Sequence, residues 1–371
     1  MMEPLPASVL PEGVRSRLLP GINGLTVHLL ESGFEQPGRP LILLLHGFPE
    51  IAFSWRSIMP RLSAAGFHVV APDARGYGRT TGAATGYDVD LWDFGLLNLV
   101  RDALQVVSAL GHNRVALVAG HDYGASVAAA CALVRPDVFA SVSLMSAPFA
   151  GPPSRPGPPV DLEAELARLD PPRKHYHWYY ATRPAAADLD QPGQGLHAFL
   201  RAYFHQKSAD WPGNAPHPLA GWSAEEIAQL PDYYVMPLHR TMPQAVAPAM
   251  PSPDEIAACR WLTERDLAVY TAEYARTGFQ GGLNFYRLRI AGRHAQELAT
   301  FAGRSIDIPS CFFAGDKDWG TYQKPGDFEA MQTRACTDMR TCMLLPGAGH
   351  WIQQEQPELL AQHLLAFVGG L

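Results

Sequence analysis

Val115-Ala-Leu-Val-Ala-Gly120-His-Asp122-Tyr-Gly124, running into Ala125-Ser-Val-Ala-Ala-Ala-Cys-Ala-Leu-Val134, decides how the chain is read. Residues 115–119 are an apolar run of strand length, and residues 125–134 are small and compatible with a helix. Strand, tight turn and helix is the setting of a nucleophile elbow, where glycines let neighbouring backbone pass close to the central residue. Here the central residue is Asp122 instead of serine. A carboxylate is anionic at neutral pH, with a reference pKa of about 3.9, and needs no base to activate it. It can attack a saturated carbon and form an ester that water must then cleave. Without such chemistry, an Asp in this place would serve as a cap for the following helix.

The companions of Asp122 also stand at strand ends. Leu41-Ile-Leu-Leu-Leu45 is a second buried-strand run, ending in His46-Gly-Phe-Pro-Glu50. In the elbow arrangement the loop after such a strand supplies one backbone N–H of an oxyanion hole. The residue after the nucleophile supplies the other. Those donors are Phe48 and Tyr123, and Pro49 permits a cis peptide after Phe48. Pro309-Ser-Cys-Phe-Phe-Ala314 reads as a strand, followed by Gly315-Asp-Lys-Asp318. Met339-Arg-Thr-Cys-Met-Leu-Leu345 reads as another, followed by Pro346-Gly-Ala-Gly-His350-Trp351. Asp122, Asp318 and His350 thus come in the order nucleophile, acid, base. Taken singly, Asp318 or His350 is equally well a loop cap or a hydrogen-bonded strand-edge histidine. Their order makes them a set.

His46-Gly-Phe-Pro-Glu50, Arg75-Gly-Tyr-Gly78, Gly120-His-Asp-Tyr-Gly124, the Gly315-Asp-Lys-Asp318 loop and Gly349-His-Trp351 resemble the epoxide hydrolase branch of the α/β-hydrolase family. The resemblance runs from about residue 14 onward. It implies an α/β-hydrolase fold: a mostly parallel central β-sheet flanked by helices, with a mainly helical cap inserted in the second half. It implies conversion of an epoxide to a vicinal diol through a hydroxyalkyl ester on Asp122. His350, oriented by Asp318, would activate the water that cleaves the ester.

The resemblance also implies two cap tyrosines that hydrogen-bond the epoxide oxygen. His175-Tyr-His-Trp-Tyr-Tyr180 resembles the first cap motif, with Tyr176 the best-placed counterpart and Tyr179 the alternative. Phe279-Gln-Gly-Gly-Leu-Asn-Phe-Tyr286-Arg287 resembles the second, with Tyr286 in the matching place. A phenol, with a pKa near 10, can donate to an oxygen on which charge develops. Packing of the cap is the other use for such rings. Phe48, Trp178, Tyr179 and Trp351 are expected to line the substrate site. No cofactor and no metal is implied, and His175-x-His177 has no third ligand in reach. His46 and His121 read as hydrogen-bonded neighbours, and Asp73 and Arg75 as residues that fix the loop near the elbow.

Two rivals use related parts. Haloalkane dehalogenases carry Asn after His-Gly and Trp after the nucleophile, where this chain has Phe48 and Tyr123. Haloacid-cleaving relatives place Arg after the nucleophile, a position Tyr123 occupies here. A non-catalytic binding protein on this fold has no need of nucleophile, base and orienter together.

Composition bounds the rest. The chain has 371 residues, 47% hydrophobic and 18% charged, enough for one large domain or one with an insertion. A net charge of −7 without basic runs argues against nucleic acid as a partner. Five cysteines without C-x-x-C spacing read as reduced thiols in a cytoplasmic setting. No signal-peptide pattern opens the sequence, and no apolar run reaches the roughly 18 residues of a membrane span.

Residues 14–32 read as two strands around Gly21-Ile-Asn-Gly24, and residues 93–110 as a helix with Leu96, Leu97, Val100, Leu104 and Val107 on one face. The Pro-rich run 152–159 reads as a semi-rigid hinge. The expected division is core (1–148), helical cap (149–303) and core again (304–371). Within the cap, 242–253 reads as an irregular loop, and 357–368 closes the chain as an amphipathic helix. Tyr176 and Tyr286 stand 110 positions apart, more than is usual in the family. The extra segment near 211–250 is expected to reshape the entrance or to make a subunit contact in a homo-oligomer. The substrate is expected to be a small apolar or aromatic epoxide, reacting with water.

Overall fold

The computed structural model describes residues 2–153 and 161–371, so most of the Pro-rich run lies outside the described residues. An eight-stranded sheet forms the centre, in the spatial order β1-β2-β4-β3-β5-β6-β9-β10. Its strands are β1 (Val14–Ile22), β2 (Leu25–Ser32), β3 (Leu41–Leu45), β4 (His68–Pro72), β5 (Val115–His121), β6 (Val142–Met145), β9 (Ser310–Gly315) and β10 (Met339–Leu345). Strands β1 and β2 pair antiparallel, and β2 pairs antiparallel with β4. From β4 across to β10 every pairing is parallel. The all-apolar run of β3 is buried at every position, as a parallel strand covered on both faces requires.

The helices that matter below are α1 (Leu96–Ala109), α2 (Tyr123–Val134), α3 (Tyr176–Ala181), α4 (Leu196–Lys207), α5 (Glu264–Thr277), α6 (Gln280–Ile290) and α7 (Pro357–Gly369). Helix α1 begins after a 3-10 turn at Leu91–Phe94, three residues later than its hydrophobic pattern predicts. Its buried face includes Leu99 and Ala103, while Leu97 and Leu104 are half-buried. Helix α2 buries nearly all of its length, which its small side chains permit.

Between β6 and β9 the chain is mostly helical, with one addition that its composition hides. Strands β7 (Arg173–His175) and β8 (Val235–Pro237) form a separate antiparallel pair. The reading of 242–253 as a loop is corrected as well. Helices occupy Met242–Val246 and Pro253–Ala258, each opened by a capping box, Thr241 with Gln244 and Ser252 with Glu255. The signature S/T-x-x-E/Q was present in the sequence, and the prolines sit in the first helical turn, where a missing N–H costs little.

The turn from β5 into α2 holds the backbone of Asp122 at φ 54°, ψ −118°. A non-glycine residue with positive φ stores strain of order 1–3 kcal/mol, so its surroundings must hold it there. They do so by close approach. A Cβ on Gly120 would run into the carbonyl of Gly124, and one on Gly124 into the carbonyls of Leu45 and His46. All of these are backbone atoms of the end of β3 or of the first turn of α2, packed too tightly to move aside. Gly124→Ala is therefore expected to cost at least about 1–3 kcal/mol, as overpacking does. A urea titration would show a lower midpoint at unchanged slope, and an unshifted midpoint would refute the argument.

Candidate active site

Asp122 is buried at the tip of the elbow, with 9% of its surface exposed. Its Oδ1 accepts the Phe48 backbone N–H at 3.0 Å. Phe48 follows β3, and its peptide to Pro49 is cis. The Tyr123 N–H stands at the first position of α2, among the four that a helix start leaves without an intrahelical partner. The Phe48 N–H is thus placed at the carboxylate by the end of β3. Burial alone would raise the Asp122 pKa. The hydrogen bond and charge of His350, then Lys207 and His121, outweigh burial and hold it well below the usual carboxylate range.

His350 Nε2 lies 3.5 Å from Asp122 Oδ2, and Nδ1–H donates to Asp318 Oδ1 at 3.0 Å. The same Asp318 oxygen accepts the Gly320 N–H at 2.7 Å. The bond at Nδ1 leaves Nε2 as the nitrogen that faces Asp122. The His350 backbone N–H is held by the Lys207 carbonyl at 2.8 Å, which ties the histidine loop to the end of α4.

Behind His350 sits a buried ion pair. His121 Nδ1 donates to Glu50 Oε2 at 2.6 Å and Nε2 donates to the His350 carbonyl at 2.6 Å. Both ring nitrogens face acceptors, so both carry protons and the ring is an imidazolium. Burial opposes its charge, but Glu50 raises the His121 pKa, and His121 in turn lowers that of Glu50. Gln353 and Gln354 donate to the other Glu50 oxygen at 2.6 and 3.2 Å.

A cavity with about 330 Å³ of unfilled space opens over Asp122, lined among others by Tyr176, Tyr286, Gln323, Arg289 and Lys324. The Tyr176 and Tyr286 rings are 5.8 Å apart. Burial, and next the charge of Asp122, push both phenols well above 10, so both carry their protons. Tyr176 Oη donates to Gln323 Oε1 at 3.3 Å. Phe48 packs edge-on against Tyr180 at 5.2 Å and Tyr286 at 5.5 Å, behind the cavity. A larger void of about 610 Å³ lies on the far side of Tyr123, near Arg75 and Asp102, and does not include Asp122.

None of the four side chains expected to line the site, Phe48, Trp178, Tyr179 and Trp351, is among those around this cavity. Tyr179 donates to Asp188 at 2.8 Å and, with Trp178, lines an outer groove. A helix of six residues turns Tyr176 and Tyr180 to one side and Tyr179 to another, which separates the two alternatives for the first cap tyrosine. Trp351 is fully buried, with Nε1–H donating to the Phe204 carbonyl at 2.8 Å, and packs 4.7 Å from the His350 ring. It supports His350 from behind and does not border the cavity.

Several neighbours of the site carry no local sequence signal. Lys207 sits 5.0–5.7 Å from the ring centroids of Tyr203, Tyr233, Tyr234 and Trp351. Glu355 accepts the N–H groups of Ala209, Gly349 and Trp351, and burial pushes its pKa up to about 8. Asp73 accepts from His28, Ala52 and Arg79 and so fixes the loop after β4. Among the described residues, no group of three or more His, Cys, Asp or Glu is placed to hold a metal. No described helix is long and apolar enough to cross a membrane.

Comparison with known proteins places this geometry. A profile of the family described as alpha/beta hydrolase fold matches residues 40–357. Epoxide hydrolase A of Mycobacterium tuberculosis is 31% identical, over 97% of this chain and 99% of its own length. Epoxide hydrolase B of the same organism is 34% identical, over 94% of this chain and 96% of its own. A solved structure, the epoxide hydrolase from an endophytic Streptomyces, superposes with a TM-score of 0.75 at 31% identity, covering 97% of this chain and 96% of that one. The chain belongs to the alpha/beta hydrolase fold family, in its epoxide hydrolase branch.

Proposed function

We propose that the chain opens an epoxide to a vicinal diol by way of an ester on Asp122. The observation that carries this reading is the convergence on one cavity of a buried carboxylate, two protonated phenols and a histidine 3.5 Å from that carboxylate. Asp122 attacks an epoxide carbon, and the C–O bond breaks. Negative charge develops on the departing oxygen, where Tyr176 and Tyr286 donate hydrogen bonds and one gives up a proton. His350 Nε2, oriented through Nδ1 by Asp318, then takes a proton from water. The resulting hydroxide attacks the ester carbonyl of Asp122, while the Phe48 and Tyr123 N–H groups stabilise the tetrahedral oxyanion. Collapse expels the diol, which keeps the proton of the attacking hydroxide, and returns the Asp122 carboxylate; the proton held by His350 goes back to the tyrosinate. Residues 149–303 serve as a lid on a core made of 1–148 and 304–371. Five free cysteines fit a cytoplasmic setting.

Removing the base stalls the second half-reaction. His350→Gln, exposed to an epoxide panel, is expected to gain the mass of one intact epoxide, lost again in an Asp122→Ala double variant. Haloalkanes should leave no adduct; an alkyl adduct lighter by hydrogen halide would move the assignment to dehalogenase. Tyr286→Phe and Tyr176→Phe are each expected to lower the rate of ester formation roughly 10- to 1,000-fold. An unchanged rate in either variant would remove that phenol from the mechanism.

Asp122 is held below the usual carboxylate range, so its anion persists as pH falls toward its native pKa. Ester formation in a single turnover is therefore expected to stay level between pH 7 and 5. A proton-linked fall with its midpoint inside that window would contradict the ionic nucleophile.

A further inference from the structure

Arg289 stands one helical turn beyond Tyr286 on α6 and lines the same cavity as Asp122. Residues three apart on a helix share a face, so the guanidinium is presented beside the phenol. Its neighbours of the same type are all engaged. Arg287 bonds Asn284 and covers the Tyr87 ring, and Arg293 faces Asp90 and Trp92. Among the described residues Arg289 has no carboxylate within 4.0 Å and no hydrogen-bond acceptor. The undescribed stretch 154–160 contains no acidic residue that could supply one.

Lys324 lines the same cavity, on the loop that follows Asp318. Its one carboxylate contact, Asp327, is loose at 3.9 Å. Burial and then Arg289 press its ammonium pKa down to about 8, while Asp327 and Asp122 work against them. Burial raises the pKa of Asp327, which weakens it further as a counterion. The positive field also reaches His175, His177 and His294. Burial first, then Arg289, holds all three neutral. The cavity thus carries two cations against the single carboxylate of Asp122. Formation of the ester removes even that one. Two half-buried cations would then face the intermediate with only the loose contact to Asp327 between them, a costly arrangement unless the substrate itself brings negative charge.

We infer that the preferred substrate is an epoxide bearing a carboxylate, which Arg289 and Lys324 bind while the rest of the molecule lies against the rings of Tyr176 and Tyr286. This rests on the epoxide reading above and narrows it. A carboxylate matches the planar fork of Arg289 with two parallel N–H···O bonds, and Lys324 adds a point charge. Lys324 also borders an outer groove formed by Leu219, Trp222 and Phe328. That groove includes residues of the added segment 211–250.

The test is a series of terminal epoxy acids of increasing chain length, each paired with its primary amide, and turnover measured as kcat/KM. The amide keeps the shape and removes the charge. At one or more chain lengths the acid is expected to exceed its amide by roughly ten- to hundredfold, the worth of one or two hydrogen bonds between charged groups. That ratio should shrink as sodium chloride is raised, and should fall toward unity in Arg289→Gln and in Lys324→Gln. Equal turnover of acid and amide at every length, or a ratio that survives in both variants, would overturn the inference while leaving epoxide hydrolysis intact. A phosphomonoester epoxide preferred over the acids would overturn the carboxylate assignment. No turnover of any acid or amide by folded enzyme would remove the epoxide reading and this one together.

Discussion

The structure turns on how tightly the backbone is packed around Asp122. The turn demands positive φ from a residue that has a side chain, and the strain is tolerated because no relaxed alternative fits. Gly47, Gly120 and Gly124 each lie where a Cβ would strike Asp122 or adjoining backbone. Three segments therefore converge on one point: the end of β3, the end of β5 and the start of α2. That convergence brings the Phe48 N–H to 3.0 Å from the Asp122 carboxylate, with no flexible side chain responsible for the donor's position. A loop would not hold such a geometry. The parallel strands β3 and β5, paired from Leu41 to Leu45 against Val115 to Gly120, set the relative height of the two turns.

Charge is arranged around that point with the same economy of motion. Glu50 and His121 form a fully buried ion pair whose remaining hydrogen-bonding capacity is met by Gln353 and by the His350 carbonyl. A buried pair of this kind does little for net stability, but breaking it leaves an uncompensated charge in the core. Its place explains its retention. It grips the backbone of His350 on one side, while Asp318 grips the ring on the other and Trp351 packs behind. His350 is constrained from three directions, which suits a base that must meet a water molecule in one orientation.

The parts legible in the sequence are those whose signal is local. Strands β3 and β10 and the elbow follow from apolar runs that end in glycine and a charged residue, and the order Asp122, Asp318, His350 follows from their strand ends. Tyr286 was found through a motif carried on one helix. What escaped notice depends on distant segments meeting. Glu50 and Gln353 are 303 positions apart, and Arg56 and Gln354 are 298 apart. Nothing near Lys207 or Arg289 marks either as a neighbour of Asp122. Trp351 misled for the opposite reason. Its adjacency to His350 suggested the cavity, yet successive residues at that turn face different sides, and the indole points into the core. The short helices at 242–246 and 253–258 were legible through their capping boxes, but the prolines drew the reading toward a loop.

The aromatic content of the insertion pointed to an apolar substrate, and the cavity qualifies that expectation through its cations. Tyr176 and Tyr286 present rings suited to an apolar body. Arg289 and Lys324 form the opposite kind of surface, and neither has a close anionic partner of its own. A site meant only for neutral epoxides gains nothing from half-buried cations, since each costs desolvation and repels the other. In the proposed mechanism their positive potential would serve the first chemical step by favouring charge on the opening oxygen. That benefit declines once Asp122 is esterified and the alkoxide has taken a proton. A substrate with a carboxylate keeps the balance through the whole cycle, since its charge remains when that of Asp122 is gone. The same cations that recognise the substrate then hold the intermediate while water attacks.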